Sequence, residues 1–202
     1  MKLKDRLDAI VARYNLLGHP FYKAWSAGTL PESALKTYAE EYGQLVRLMP
    51  QAWLTLGDDE TVREEEEHSE LWDCFATALG CAVGDSASIA EVESLVDTAE
   101  RLFSHPLSCA GALYAFEVQQ PETAKSKLEG LLKHFPQVNP ELALPYFEAH
   151  SHNHHECEKL LKRMEGASLV EEAEYEQACE EMSAALWNAL SGIYGKHCRA
   201  SA

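Results

Sequence analysis

From Leu3 to Tyr194 the apolar residues of this chain recur every three or four positions, and proline and glycine fall mainly at the breaks between such runs. That spacing is the repeat of amphipathic helices, and no stretch alternates convincingly as a half-buried strand would. The first helix is predicted from about Lys2 to Leu17, closed by Gly18-His19-Pro20. A short piece over Phe21–Ser26 follows, and then a helix that starts at Pro31 and reaches about Met49, with Tyr38, Tyr42 and Leu45 facing inward and Glu40 and Glu41 free to face water. Further helices end at Gly80, near Leu102, at Glu117 and near Leu132; Asp85 or Ser86 is the expected cap of the one containing Ile89, Val92 and Val96. Another is expected from Pro145 to about Gly166, and a last one from about Ser168 to Tyr194. The pattern predicts an all-α bundle of seven or eight helices, in one domain spanning 1–202.

Charge narrows the classes of partner. With 33 acidic and 17 basic residues, the net charge of −16 opposes binding to nucleic acid or anionic membranes through general electrostatics. No apolar run approaches the ~18 residues of a spanning helix, and the Met-Lys-Leu-Lys-Asp start lacks a signal-peptide core, so a cytoplasmic protein is expected. The six cysteines are scattered without a C-x-x-C pair and are read as reduced.

Chemistry concentrates between Tyr146 and Lys159, where four histidines, a cysteine and three glutamates fall within fourteen residues. On one continuous helix His150, His154 and Cys157 share a face with Tyr146, Phe147 and Leu161, while His152 and His155 point toward solvent. Two imidazoles one turn apart offer neutral nitrogens to a common point, the beginning of a metal site. Two other segments can add donors. His68 lies on the same face as Leu71, Trp72, Phe75 and Leu79, although the Glu64–Glu67 run before it reads as a solvated face. Glu117 sits among apolar residues, where a carboxyl must be protonated, hydrogen-bonded or bound to a cation.

Four segments resemble the signatures of one family. They are His19-Pro20-Phe21-Tyr22-x-x-Trp25-x-x-Gly28-x-Leu30; His68-Ser-Glu-Leu-Trp72-x-x-Phe75-x-x-x-Leu79-Gly80; Tyr114-Ala-Phe-Glu117-x-Gln119-x-Pro121-x-x-Ala124-x-x-Lys127-x-x-Gly130-Leu131; and Tyr146-Phe147-x-x-His150. In order and spacing they are similar to the haem-oxygenase-like TenA and PqqC group, and within it to the CADD-like branch and the dinuclear iron oxidases. The resemblance implies a haem-oxygenase-like helical bundle around a central cavity, often a homodimer. It also implies a site for iron, as two ions, that activates O2 without haem; manganese or no metal is the alternative. Some members of the branch form p-aminobenzoate from an internal tyrosine and lysine. Carried over, Glu117, His68 and His150 match metal ligands, Lys127 the internal lysine, Tyr22 the sacrificed tyrosine, and Tyr38 and Tyr146 cavity tyrosines.

The chain departs from that family in two places. Where the fourth signature continues His-x-x-x-Asp-x-x-His, this chain has His150-x-x-x-His154-x-x-Cys157, with His154 as the substitute ligand. Where a glutamate stands about seven residues before the second-signature histidine, this chain has Thr61; Glu60 is the nearest substitute and Glu64 the geometric alternative. Two other readings keep the fold. In one, His68 and His150 simply hydrogen-bond Glu117 in a satisfied core network and Lys127 is a surface cation. In the other, the cavity binds a small aromatic molecule or a partner without turnover. A TenA-like thiamin hydrolase fits less well, because none of the six cysteines aligns with its nucleophile.

Overall fold

The computed structural model describes residues 1–152 and 155–198, and among these there are helices and no strands. The helices are α1 (Leu3–Arg13), α2 (Pro20–Ala27), α3 (Glu32–Val46), α4 (Met49–Leu56), α5 (Asp59–Ala78), α6 (Ala90–Phe103), α7 (Pro106–Glu117) and α8 (Gln120–His134), followed by the short α9 (Pro140–Ala143) and α10 (Pro145–His150), then α11 (His155–Arg163) and α12 (Leu169–Cys198). A 3-10 turn, Leu16–Gly18, joins α1 to α2. The pieces outnumber the seven or eight expected because prolines restart the chain. Pro50 opens α4 as a separate helix, and Pro140 and Pro145 each open a short one.

The longest helix, α12, lacks proline and begins with a reciprocal cap: the Ser168 N–H donates to the Glu171 carboxylate at 2.7 Å, and the Glu171 N–H to Ser168 Oγ at 3.3 Å. It packs along α7, α6, α1 and α3, while α5 packs on α4, α3, α9 and α10. Between these two groups runs α7, buried from Cys109 to Glu117. Its approach to α12 depends on Gly111. A Cβ there would lie 2.4 Å from the Tyr175 carbonyl oxygen, so no other residue lets the two backbones meet.

Two local expectations are corrected. Glu41 is buried rather than solvated, and it caps α6 from another helix: its carboxylate accepts the Ser88 N–H at 3.0 Å and the Ile89 N–H at 3.3 Å. Neither Asp85 nor Ser86 caps α6, which begins later, at Ala90. No helix among the described residues is long and apolar enough to cross a membrane.

Gly111→Ala is expected to destabilise the fold by ~3 kcal/mol in urea denaturation, even though alanine is the better helix former by about 1 kcal/mol. Gly84→Ala, where the added carbon would meet nothing closer than 3.7 Å, is expected to change stability by less than ~0.5 kcal/mol.

Candidate metal centre and tyrosine pocket

One stripe of α5, Thr61, Glu65, His68, Trp72 and Phe75, repeats at four- and three-residue steps and faces the core. Glu65 is therefore buried, contrary to the solvated face expected of the glutamate run, while Glu66 and Glu67 remain exposed. Glu60 lies off the stripe. Its side chain is 74% exposed and pairs with Lys159 at 3.8 Å, so the carboxylate beside His68 is Glu65 and not Glu60. The Glu65-x-x-His68 spacing, one helical turn, is the signal in the sequence that marks it; helical bundles build metal sites from this pair.

His150, at the end of α10, meets that stripe. Its ring centroid lies 4.3 Å from that of His68, and ligand atoms of Glu65, His68 and His150 all lie within 4.8 Å of one another. His150 Nδ1 donates to the Tyr146 carbonyl at 2.7 Å, which leaves the lone pair on Nε2, the tautomer a metal ligand needs. Burial, reinforced by His68, pulls the His150 pKa down to about 3, so the ring is neutral. Burial also opposes a charge on His68, but Glu65, with Glu156 and Glu64 beyond it, outweighs burial and raises its pKa. Glu65 Oε2 approaches His68 Nδ1 to 3.4 Å without hydrogen-bond geometry.

Glu117, the last residue of α7, adds a buried carboxyl whose Oε1 has no hydrogen-bond partner. Burial, together with the charges of Glu65 and Glu156, raises its pKa well above the ordinary carboxyl range; the Trp53 indole works the other way without completing a hydrogen bond. An acid so placed holds a proton until a cation replaces it. Two imidazoles and two carboxyls, with buried nitrogen and oxygen atoms left unpaired, fit a divalent transition metal.

The helix expected from Pro145 to Gly166 is interrupted, α10 ending at His150 and α11 starting at His155, so a face drawn on one continuous helix does not carry across. Glu156 takes the buried place on α11 and Cys157 only a half-buried one. Burial and the nearby Glu117 carboxyl raise the Cys157 thiol far above its usual pKa, which keeps it protonated. His154, the third expected imidazole ligand, lies outside the described residues. Glu64, His155 and Glu156 form a second group with ligand atoms within 4.8 Å, nearer the surface. Glu65 and Glu156 are the two carboxylates that reading the sequence did not bring into the site.

Beside this cluster lies the second compartment. Lys127 of α8 is 2% exposed, a buried amine and not a surface cation. It donates to the Tyr38 hydroxyl at 3.2 Å and stands 5.7 Å from the ring centroids of Tyr22 and Tyr38 and 5.2 Å from that of Phe147. Burial lowers its pKa to about 7. Tyr22 and Tyr38 are both buried and their hydroxyls interact, so amine and phenols form one polar group inside an aromatic wall. Tyr146 joins the compartments: its ring lies 4.3 Å from His150 and 4.8 Å from Trp72, and its hydroxyl accepts from Gln120 Nε2 at 3.4 Å.

The fold is that of TenA-like proteins: a TenA homologue from Pseudomonas syringae pv. tomato superposes with a TM-score of 0.75 at 16% identity, over 95% of this chain and 90% of its own. The TenA homologue of P. horikoshii OT3 gives 0.74 at 13% identity, over 96% and 99%. Sequence relatives narrow the class. A Nitrosomonas europaea protein named 4-aminobenzoate synthase is 30% identical over 96% of this chain and 92% of its own. Proteins of the same name from Chlamydia muridarum and Chlamydia trachomatis are 32% and 31% identical, each over 74% of this chain. No family model matches the chain. The chain belongs to this CADD-like family within the haem-oxygenase-like TenA superfamily.

The lysine supplies a test of the pocket. Between pH 7 and 10.5 the unfolded chain holds the Lys127 proton and the folded chain does not, so stability rises with pH across that window and the burial penalty is fully present below it. Lys127→Met is expected to stabilise the protein by ~3 kcal/mol at pH 6 in urea denaturation, and by much less at pH 9.5.

Proposed function

We propose that this chain forms 4-aminobenzoate from its own Tyr22 and Lys127, in an oxidation that uses O2 and a bound iron ion. The observation that carries this reading is the Lys127 amine, sealed among Tyr22, Tyr38 and Phe147 beside the imidazole and carboxyl cluster. The names of the relatives agree with it.

The product assigns the roles. 4-Aminobenzoate is a benzene ring with nitrogen para to a carboxylate carbon; tyrosine carries the same ring, with a hydroxyl para to Cβ. The lysine nitrogen takes the place of the phenolic oxygen, which leaves as water, while the Cε–Nζ bond breaks and Cε is oxidised to an aldehyde. The Cα–Cβ bond breaks and Cβ is oxidised to the carboxylate carbon, with O2 as the oxidant. This net oxidation cuts the ring from the backbone, so each chain acts once. Iron held by Glu65, His68, Glu117 and His150 would supply the chemistry that couples O2 to oxidation of an organic group.

The chain's own groups prepare the reaction. With its pKa near 7, about half of the Lys127 amine is neutral at neutral pH and keeps a lone pair for bonding to carbon. Tyr38 accepts the Lys127 hydrogen bond and interacts with the Tyr22 hydroxyl, fixing amine and phenol side by side. Trp25, Trp72, Phe147 and Tyr146 close the pocket to water. Glu117, protonated by its burial, is placed to yield a proton when a cation arrives.

Protein produced with heavy-carbon ring-labelled tyrosine and heavy-nitrogen side-chain-labelled lysine, purified without oxygen and then given ferrous iron, a reductant and O2, tests this. Both labels are expected in 4-aminobenzoate, with altered masses at Tyr22 and Lys127. Tyr22→Phe and Lys127→Arg are each expected to abolish the product; unlabelled product, or none from the unaltered chain, overturns the reading.

A further inference from the structure

We propose that Trp53 is a positioning residue of the metal centre: its indole N–H takes one carboxylate oxygen of Glu117 and leaves the other to the ion. The inference rests on the metal-dependent reading above and concerns a side chain that does not itself touch the ion.

Trp53 reaches this place through α4. Met49, Ala52, Trp53 and Leu56, at three- and four-residue steps, form the buried face of that helix. The face is held on α7 by the Cys109 thiol, which donates to the Ala52 carbonyl at 3.2 Å, and Glu117 ends α7 about two turns further on. Trp53 is 1% exposed, and its ring forms a wall of a cavity of about 370 Å3 that Asp58, Lys159, Lys162 and Arg163 also line. The ring thus stands between that polar cavity and Glu117.

A buried indole N–H ordinarily has a hydrogen-bond partner, and so does a buried carboxyl oxygen. Among the described residues Trp53 Nε1 and Glu117 Oε1 have none. The two unpaired groups are neighbours: burial, Glu65 and Glu156 all oppose a charge on Glu117, and the Trp53 indole favours it. Leaving both unpaired costs stability, and phenylalanine would fill nearly the same space without that cost, so packing alone does not account for an indole here. A carboxylate bound to an ion through one oxygen keeps lone pairs on the other, and the indole, which donates and cannot ligate, suits that oxygen without competing for the ion. Donors of this kind fix the orientation of a ligating group and so raise its affinity for metal.

The full chain made with heavy-nitrogen-labelled tryptophan gives one indole resonance for each of Trp25, Trp53, Trp72 and Trp187, and zinc, a diamagnetic divalent ion, is the probe. The Trp53 resonance, identified by its loss in Trp53→Phe, is expected to move downfield as zinc binds, and further than those of Trp25 and Trp187. Trp53→Phe keeps an aromatic wall and removes the donor; with folding checked by circular dichroism, it is expected to bind zinc about 10- to 100-fold more weakly. Should that variant not fold, Trp25→Phe, Trp72→Phe and Trp187→Phe assign the remaining resonance to Trp53. Zinc bound with the Trp53 resonance unmoved, or with unchanged affinity in Trp53→Phe, overturns the inference and leaves the proposed function standing. A chain that retains neither zinc nor iron overturns both, whereas a shifted Trp53 resonance in a chain that forms no labelled product sinks the proposed function alone.

Discussion

Everything in the interior is conditioned by the cost of holding Glu65, Glu117 and Glu156 in a dry place. Carboxylates that close to one another cannot all be charged, since each raises the energy of the others and none is bathed in water. Glu117 answers with a proton, and His68 answers by becoming easier to protonate than a free imidazole. A divalent cation would relieve the same repulsion more completely. The close approach of α7 to α12 at Gly111 belongs to this constraint, because it is α7 that ends with Glu117 at the cluster.

The same dryness has the opposite effect on Lys127. Burial disfavours its charge as it disfavours that of the acids, so the amine gives up its proton more readily than a free lysine while Glu117 holds its own. Interior acid and base are thus both pushed toward neutrality by a single cause. Their separation is maintained by Tyr146, which packs on His150 on one side and belongs to the aromatic shell of Trp72 and Phe147 on the other. Trp72 is itself fixed by donating its indole N–H to the Ala39 carbonyl at 2.8 Å, so the partition is anchored to α3.

Departures from the family pattern acquire a physical meaning in this setting. Thr61 sits on the same buried stripe as Glu65 and His68, but it is engaged by Lys159, whose charge also serves Asp58, the residue that caps α5. Thr61, a neutral residue on that stripe, is accordingly accompanied by a cation nearby. Cys157 is displaced from the face on which a continuous helix would have set it, and Glu156 turns inward in its place.

The sequence alone determined the helical architecture, because apolar spacing and the placement of proline and glycine act locally and are visible in the order of residues. It also determined that His68, Glu117 and His150 belong inside, each being embedded in an apolar stripe. Glu65 was legible through the same three- and four-residue steps, yet a run of four glutamates obscured it. Only the tertiary structure decided which acids face inward where a helix breaks, as at Glu156, and which cap a distant helix, as Glu41 does for α6. Only it brought Lys127 beneath Tyr38 and Tyr22, since burial of a lysine depends on residues more than eighty positions away in the chain. Local patterns state which side of a helix is apolar; whether a charge on that side is tolerated is set by the groups that other helices bring to it.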